Sequence, residues 1–434
     1  MQLFYRILAN SALASIVNYT VWFAVTFFVF LQTRSVFATS LISGVYLVIS
    51  AFSGFWFGSL VDHHKKKEVL IWSSVFSFVA YVVGFALYVT AAPEAFVHVE
   101  SLRLWLVVIV LLFGVIAGNI RGIVIPTLVT ALVPVERHDR ANGLNGMVGG
   151  IGFMVTSVIS GFLVGRSGMY EVLLGAMIMS VAILLHLLTI TIPEKIIIHL
   201  ADAPKKVDIL GTLKVVHGIP GMLALILFTT FNNFLGGVFM SLMDAYGLSL
   251  VSVETWGLMW GFLSIAFIIG GLVIAKWGLG KNPLHSMFMA NFVIWGICSF
   301  FTIYPSIYLL VGGMFVYLSV VPYIEASEQT VIQKLVPQER QGRVFGFAQS
   351  VEQAASPITA FAIGPITQFI FIPYMTTGGG VDSIGGWFGT GPDRAIALVF
   401  TLAGIIGLIA TIIARYSKHY HLLSREYAKE SPAS

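Results

Sequence analysis

Runs of about 20 apolar residues recur from one end of this chain to the other, and nothing else in the sequence limits its fold so strongly. We count twelve, near residues 9–31, 37–61, 69–91, 103–133, 144–165, 170–192, 219–244, 255–276, 284–303, 306–334, 345–373 and 394–414. A run of that length crosses the hydrocarbon layer of a bilayer as a helix. Backbone in lipid must satisfy its own hydrogen bonds, and uninterrupted apolar runs do so as helices, whereas barrel strands alternate. Charged residues are only 10% of the chain and hydrophobic ones 57%, against roughly a quarter charged in soluble domains. The first run is too long for a signal-peptide core and has no small-residue cleavage site, so it reads as the first spanning helix. The expected fold is an all-α integral membrane protein with twelve transmembrane helices.

The spans fall into two sets. Thr127 to Gly143 reads TLVTALVPVERHDRANG, and Thr330 to Gly346, 203 residues later, reads TVIQKLVPQERQGRVFG. Eight positions recur, including Leu132/Leu335, Pro134/Pro337, Glu136/Glu339 and Arg140/Arg343. Each copy joins one apolar run to the next through a charged turn. A repeat at about half the chain length implies two pseudo-symmetric six-helix bundles around a shared central site. We assign residues 1–192 to the first bundle, 193–218 to a linker and 219–434 to the second bundle with its tail. The linker mixes Lys195, Lys205, Lys206 and Lys214 with Ile196, Ile197, Ile198, Ile209, Leu210 and Leu213, a pattern suited to an anionic inner leaflet.

Lys and Arg positions orient the chain. With the amino terminus in the cytoplasm, 19 of the 24 basic residues fall on that side; Arg34, Arg103, Arg166 and Arg394 fall outside and Arg121 lies within a span. Both termini are therefore expected in the cytoplasm, in a cell membrane. The net charge of +4 reflects this topology rather than nucleic-acid binding. A lone cysteine, Cys298, excludes a disulfide framework and a thiolate metal cluster. His63 and His64 have no third ligand beside them, so no metal or other cofactor is expected. No Gly-x-x-x-x-Gly-Lys-Ser/Thr loop is present, nor a nucleophile with its base on the spans, so neither an ATPase nor another enzyme is read here.

Ionisable groups at mid-bilayer cost roughly 2.5–3.5 kcal/mol even on lenient scales, so each needs a partner or a cavity. Arg121 falls in span 4, Glu325 and Glu328 in span 10, and Glu352 about two turns into span 11; Asn18 in span 1 and Asn232 and Asn233 in span 7 lie at similar depth. Glu325 and Glu328, three apart, share a helix face. They are candidate proton carriers, with Arg121 as a compensating charge; the competing reading is an ion pair holding spans 4 and 10 together. Glu352 is expected to pair with Lys334 or Arg343 at a cytoplasmic gate. Asp244 and Glu254 read as solvated residues of the outer mouth, and His186 as a packed, hydrogen-bonded residue. Trp22, Phe23, Phe27, Phe231, Phe234 and Tyr323 fall near the polar positions, and rings beside a carboxylate suit a cationic amphiphile. Gly114, Gly118 and Gly122, like Gly54 and Gly58, are spaced for close helix approach. The outer loop from Thr376 to Pro392, rich in glycine, reads as a flexible connection rather than a phosphate cradle.

Between spans 2 and 3 stands Gly58-Ser59-Leu60-Val61-Asp62-His63-His64-Lys65-Lys66-Lys67. It resembles the loop signature of the major facilitator superfamily, Gly-x-Leu-x-Asp followed by basic residues, although His63 and Lys65 stand where the family has Arg and Gly. Phe30-Leu31-Gln32-Thr33-Arg34-Ser35 and Gly342-Arg343-Val344-Phe345-Gly346 are similar to the macrolide-efflux-like drug exporters of that superfamily. The glycine-rich run of span 5 (Gly146, Gly149, Gly150, Gly152, Gly161) lacks the proline of the exporter signature. The resemblance implies that spans 1, 4, 7 and 10 line the central cavity, which places Asn18, Trp22, Asn232, Asn233 and Tyr323 at a substrate site. An aspartate ending span 2 can face the positive N-terminal dipole of span 11, so Gly58, Asp62, Lys66, Lys67, Arg343 and Glu352 form the expected gate. The function implied is secondary active, proton-coupled efflux of amphiphilic or drug-like small molecules by a monomer through alternating access. An importer or uniporter of a small polar solute and a lipid flippase are the alternatives.

Overall fold

The computed structural model describes residues 2–33, 36–193 and 208–429. Arg34, Ser35 and most of the expected linker, including Lys195, Lys205 and Lys206, lie outside these residues. The described chain is helical throughout, without a strand. The long helices are α1 (Gln2–Thr33), α2 (Val36–His63), α3 (Lys66–Val89), α4 (Leu102–Gly118), α5 (Arg121–Leu132), α6 (His138–Ser167) and α7 (Tyr170–Leu188). After the amphipathic α8 (Ile209–Gly218) come α9 (Met222–Leu250), α10 (Val253–Trp277), α11 (Pro283–Phe300), α12 (Ile307–Leu335) and α13 (Gln341–Ile366). Three short helices follow, α14 (Ile372–Thr376), α15 (Gly379–Ser383) and α16 (Gly385–Phe388), then α17 (Pro392–Tyr416) and α18 (Lys418–Lys429).

Among the described residues eleven helices are long and apolar enough to cross a membrane. The twelfth expected span corresponds to α6, a helix of 30 residues. Expected span 4 is broken: α4 and α5 cross together as Leu102–Leu132, with tightened turns from Asn119 to Gly122 and from Ile120 to Ile123, both at 3.0 Å. The glycine-rich outer loop, expected to be flexible, is instead wound into α15 and α16.

By internal contacts the chain forms two compact units. The first comprises Met1–His138, Val148–Thr212 and Val336–Ser350, the second Asp139–Met147, Leu213–Leu335 and Val351–Ser434. Each unit thus includes the start of a helix whose remainder belongs to the other, α13 in the first and α6 in the second. The helix starts that cross over are those following the two copies of the repeated turn. Both turns are short 3-10 segments, Val135–Arg137 and Gln338–Arg340. In one, His138 Nε2–H donates to the Val133 carbonyl at 3.0 Å; in the other, Gln341 Nε2–H donates to Val336 at 3.0 Å. One bond is kept with two different side chains.

Small residues set the packing inside each unit. Ser77 and Ser73 of α3 donate to the carbonyls of Gly114 and Ala117 of α4, at 2.7 and 2.9 Å. A Cβ on Gly114 would meet Ala80 and Tyr81, and one on Gly118 would meet Asn18 at 2.8 Å. Gly122 needs no such exemption, its Cβ finding only Gln349 at 3.6 Å. Around these contacts Val21, Val25 and Phe28 of α1 bury with Leu104, Val108 and Leu111 of α4 and Leu173 of α7. The second core gathers Phe239, Tyr246, Leu263, Trp295, Leu310 and Phe400 from α9, α10, α11, α12 and α17. Arg394, at the start of α17, is buried and donates to the carbonyls of Phe388, Thr302 and Ile303 at 2.6, 3.1 and 2.8 Å. It thereby satisfies two carbonyls of the turn that follows α11.

Candidate functional site

The first unit carries the expected contact between α2 and the start of α13. An α-helix begins with N–H groups that have no partner within it. Here Asp62 supplies one: Oδ1 accepts from the Gly342 N–H at 2.7 Å and Oδ2 from the Arg343 N–H at 3.0 Å. The Arg343 Nε lies 3.6 Å from Oδ2. The backbones can approach because both helices carry glycine: a Cβ on Gly58 would stand 2.5 Å from the Gly342 carbonyl oxygen, and one on Gly346 would overlap that of Gly54. His63 replaces the family's arginine with a workable bond. A guanidinium only donates, so Nε2 accepts from Arg343 Nη2 at 2.8 Å, leaving Nδ1–H to donate to the Ser59 carbonyl at 2.7 Å. Lys67 donates to the Leu188 carbonyl at 3.2 Å, at the end of α7, and Lys66 lies within electrostatic reach of Asp62.

A counterpart in the second unit escaped the sequence reading. Asp139, on α6, accepts from the Leu279 N–H at 2.8 Å. Gly278, at φ +74°, presses against the same carboxylate, a conformation and a gap that only glycine allows. Gly271 lies close to Met147 and to the Gly143 carbonyl. Asn142 and Gln333 exchange amide bonds at 2.8 and 3.1 Å, and Asn142 also donates to Thr330 at 2.9 Å. Asp139 stands in repeat register with Gly342, which was the available signal. The amphipathic α18 packs beside this contact: Tyr420 and Leu423 are buried, Asn282 donates to Ser424 at 2.8 Å, and the Lys334 ammonium lies 3.8 Å from the Tyr427 ring. Burial, with the Asp139 carboxylate nearby, pushes the Tyr427 hydroxyl up to about 12.

Glu352 departs from expectation. It was read as a gate residue paired with Lys334 or Arg343. Instead its Oε1 meets the Thr229 hydroxyl at 2.7 Å, and the same hydroxyl meets Glu328 Oε1 at 3.1 Å. Thr229 of α9 therefore joins carboxyls from α12 and α13. Glu328 is buried, whereas Glu325, one turn earlier, is exposed; sharing a helix face did not bring the two into one environment. Nothing in the spacing pointed to Thr229, because its role depends on three helices meeting.

The expected cavity residues divide. Asn18 is buried and fully engaged, donating to Val115 and Asn119 at 2.9 and 3.3 Å and accepting from Tyr81 at 2.9 Å. Asn232 accepts from the Trp295 indole at 2.7 Å and donates to Phe228 at 2.9 Å. These two hold helices together. Asn233 is exposed, Trp22 stacks on Tyr46 with centroids 4.1 Å apart, and Tyr323 is half-buried against Ile274 and Leu279. Asp244, expected to be merely solvated, accepts from the indoles of Trp256 and Trp260 at 2.9 and 3.2 Å. His186 meets Asn10 at 3.2 Å, as a packed histidine should. Arg121, just past the break in span 4, donates to Asn10, Ser11 and Ser74 at 3.2, 3.1 and 2.8 Å.

The sequence profile of the Major Facilitator Superfamily matches residues 7–360. The chain belongs to the major facilitator superfamily. It is 23% identical over 382 residues to Macrolide efflux protein A of Streptococcus pyogenes, covering 82% of this chain and 87% of that protein. Its fold matches a bacterial homologue of the iron transporter ferroportin in the outward-facing state (TM-score 0.71, 14% identity, 96% and 100% of the two chains). It also matches the human organic anion transporter MFSD10 (0.70, 12%, 94% and 99%) and the proton:xylose symporter XylE (0.65, 13%, 95% and 95%). This member of the superfamily is a multi-pass membrane transporter, not an enzyme.

Proposed function

We propose that this transporter is a proton-coupled exporter of amphiphilic, drug-like small molecules, with the carboxyls of Glu328 and Glu352 as the coupling site. The observation that carries the reading is the single Thr229 hydroxyl between them. It has one proton to give and the Ile226 carbonyl also lies within its reach at 2.9 Å, so both carboxyl contacts are made only when at least one carboxyl carries its own proton. Breaking the contact and delivering that proton to water is the ionic half of a transport cycle. Glu325, exposed on the same helix, is suited to relay it. Arg121, held by neutral groups of its own unit, is not among the carriers.

Alternating access would separate α2 from the start of α13 and α10 from the start of α6 in turn. Asp62, Gly58, His63, Lys66, Lys67 and Arg343 form the first inner contact, with Asp139 in the second. In the second unit Asn233 and Tyr323 offer a polar and an aromatic group to the substrate, and in the first Trp22 offers an aromatic one. Likeness to a macrolide efflux protein supports the outward direction. The protein would act as a monomer in the cell membrane with both termini in the cytoplasm. One proton moving down 100 mV supplies about 2.3 kcal/mol. At about 1.4 kcal/mol per tenfold ratio, that sustains roughly a fortyfold gradient.

Everted vesicles carrying a pH-sensitive dye test the proposal. Addition of a cationic amphiphile should release protons from the lumen, and Glu328→Gln and Glu352→Gln should abolish the release while substrate still stabilises the purified protein against heat. Proton release at wild-type rates in the double variant would remove both residues from coupling, and Glu325→Gln would then be the variant to follow. In these vesicles an exporter fills the lumen with solute, so loss of preloaded solute from the lumen would reverse the direction.

A further inference from the structure

The first unit holds a charge that the transport reading does not neutralise. Arg121 is 5% exposed. Three of its five N–H groups go to Asn10, Ser11 and Ser74, and no described carboxylate of its unit lies within ion-pair distance. A buried cation without a counter-charge is among the most costly arrangements a protein interior can hold. Beside the guanidinium lies a cavity of about 30 Å³, lined by Asn18, Ser77, Tyr81, Gly118 and Ser180 among others. Ser180 is 7% exposed. Unlike Ser73, Ser74 and Ser77, whose hydroxyls donate to backbone carbonyls, it makes no hydrogen bond among the described residues. One charged group with two N–H unused and one O–H with no acceptor thus converge on a space that admits a water-sized occupant.

We propose that this cavity binds a monatomic anion, chloride under cellular conditions, held by the Arg121 guanidinium and the Ser180 hydroxyl. A drug-sized solute needs roughly ten times the volume, which separates this site from that of the transported molecule. The anion neutralises Arg121 and ties α7, which carries Ser180, to the break between α4 and α5. It is a structural ion, present in every state of the cycle in which the first unit stays intact.

The test uses the purified full-length protein and thermal unfolding in sodium chloride against sodium gluconate at equal ionic strength. A ligand that binds only the folded state raises the unfolding temperature with its concentration. The expected result is a rise of a few degrees that saturates with chloride, is reproduced by bromide and is absent in gluconate. Ser180→Ala should move the half-saturating concentration upward by at least severalfold, and Arg121→Gln should remove the chloride dependence. Should Arg121→Gln fail to fold, Ser180→Ala alone decides. Equal unfolding temperatures in the two salts would show that the cavity holds water and overturn the assignment. So would a chloride effect that rises without saturating, or one that saturates unchanged in Ser180→Ala.

Discussion

Asp62→Asn is the most informative change to the contact between α2 and α13, because it removes a charge and almost no volume. The carboxylate accepts two N–H groups, from Gly342 and Arg343 at 2.7 and 3.0 Å, and faces the Arg343 guanidinium at 3.6 Å. The amide keeps one oxygen, enough for Gly342, but turns its NH₂ toward the Arg343 N–H and guanidinium. The loss is then one charge-assisted hydrogen bond, about 1.5–3 kcal/mol, and a charge at a helix N-terminus, about 0.3–2 kcal/mol. Together these give about 2–5 kcal/mol, and at about 1.4 kcal/mol per tenfold the separated state should gain roughly twentyfold to a few thousandfold. Ser350 offers the reporter. It is 2% exposed and packs under Gly54, so a thiol there reacts only when α13 leaves α2. The native Cys298 is fully buried and contributes little background. Thiol labelling of Ser350→Cys should accelerate by that factor when Asp62→Asn is added. An acceleration below about threefold would mean that the carboxylate does not hold the helices together and that the close glycine packing does.

Three further outcomes follow from geometry already described. Gly346→Ala, whose Cβ would overlap the Gly54 carbonyl, should abolish transport, whereas Gly122→Ala, with its nearest contact at 3.6 Å, should leave transport within about twofold; growth on a toxic substrate compares them. Arg394→Met strands two buried carbonyls and a half-buried one at about 1–3 kcal/mol each for the buried pair, and a loss of about 2 kcal/mol or more should appear as a marked fall in unfolding temperature in detergent. Tyr427 has a hydroxyl raised from 10.0 to about 12. A raised acid favours the folded state fully below the unfolded value and loses that advantage as pH climbs through the folded one. The docking of α18, followed by protease nicking, should therefore be flat below about pH 10 and weaken from there to about 12, a decline that Tyr427→Phe removes.

The spans were legible because lipid admits so few solutions: an apolar run of about 20 residues has one way to satisfy its backbone. The turn repeat was legible for a similar reason, since both copies keep the same bond with different side chains, His138 to Val133 and Gln341 to Val336. Asp62 could be foreseen because a carboxylate ending one helix and the N-terminus of another are complementary before any coordinates exist. The partners of Glu352 could not. Whether it met Lys334, Arg343 or Glu328 depended on the rotation of α13, and a hydroxyl on α9 that no charge pattern marks joins it to Glu328. Asn18 misled for the opposite reason: polarity in a span signals either a solute or a neighbouring helix, and here Tyr81, Val115 and Asn119 take every group it has. The break before Arg121 did have a local signal: Pro126 has no N–H for the Gly122 carbonyl one turn earlier and its ring crowds that carbonyl, while Asn119 donates to Tyr46 at 3.0 Å.

The two helix-start contacts are built from repeat-related segments but are held by different forces, and this predicts an unequal response to one substitution. In the first unit the charge comes from α2 and the start of α13 only donates. In the second the charge, Asp139, is on α6 itself, at the position equivalent to Gly342, and it receives two backbone N–H groups, one from Leu279 across the contact and one from its own neighbour Arg140. The remaining polar contact there is the neutral exchange between Asn142 and Gln333 with its bond to Thr330. Asp139→Asn keeps an oxygen for Leu279, gives up only the bond from its neighbour Arg140 and leaves the amide exchange in place, so its cost stays within about 1.4 kcal/mol, or tenfold. Asn142→Ala instead deletes three side-chain bonds, at a net 0.5–1.5 kcal/mol or so each, and should be the more disruptive change. Ala141 is fully buried beside it, and Ala141→Cys reports on the separation of α6. Labelling should quicken more with Asn142→Ala than with Asp139→Asn, and only the α2 contact, which rests on charge, should respond more than tenfold to loss of its aspartate. The reverse order would mean that the second contact also depends on charge, and that the duplicated turns kept one mechanism rather than dividing into two.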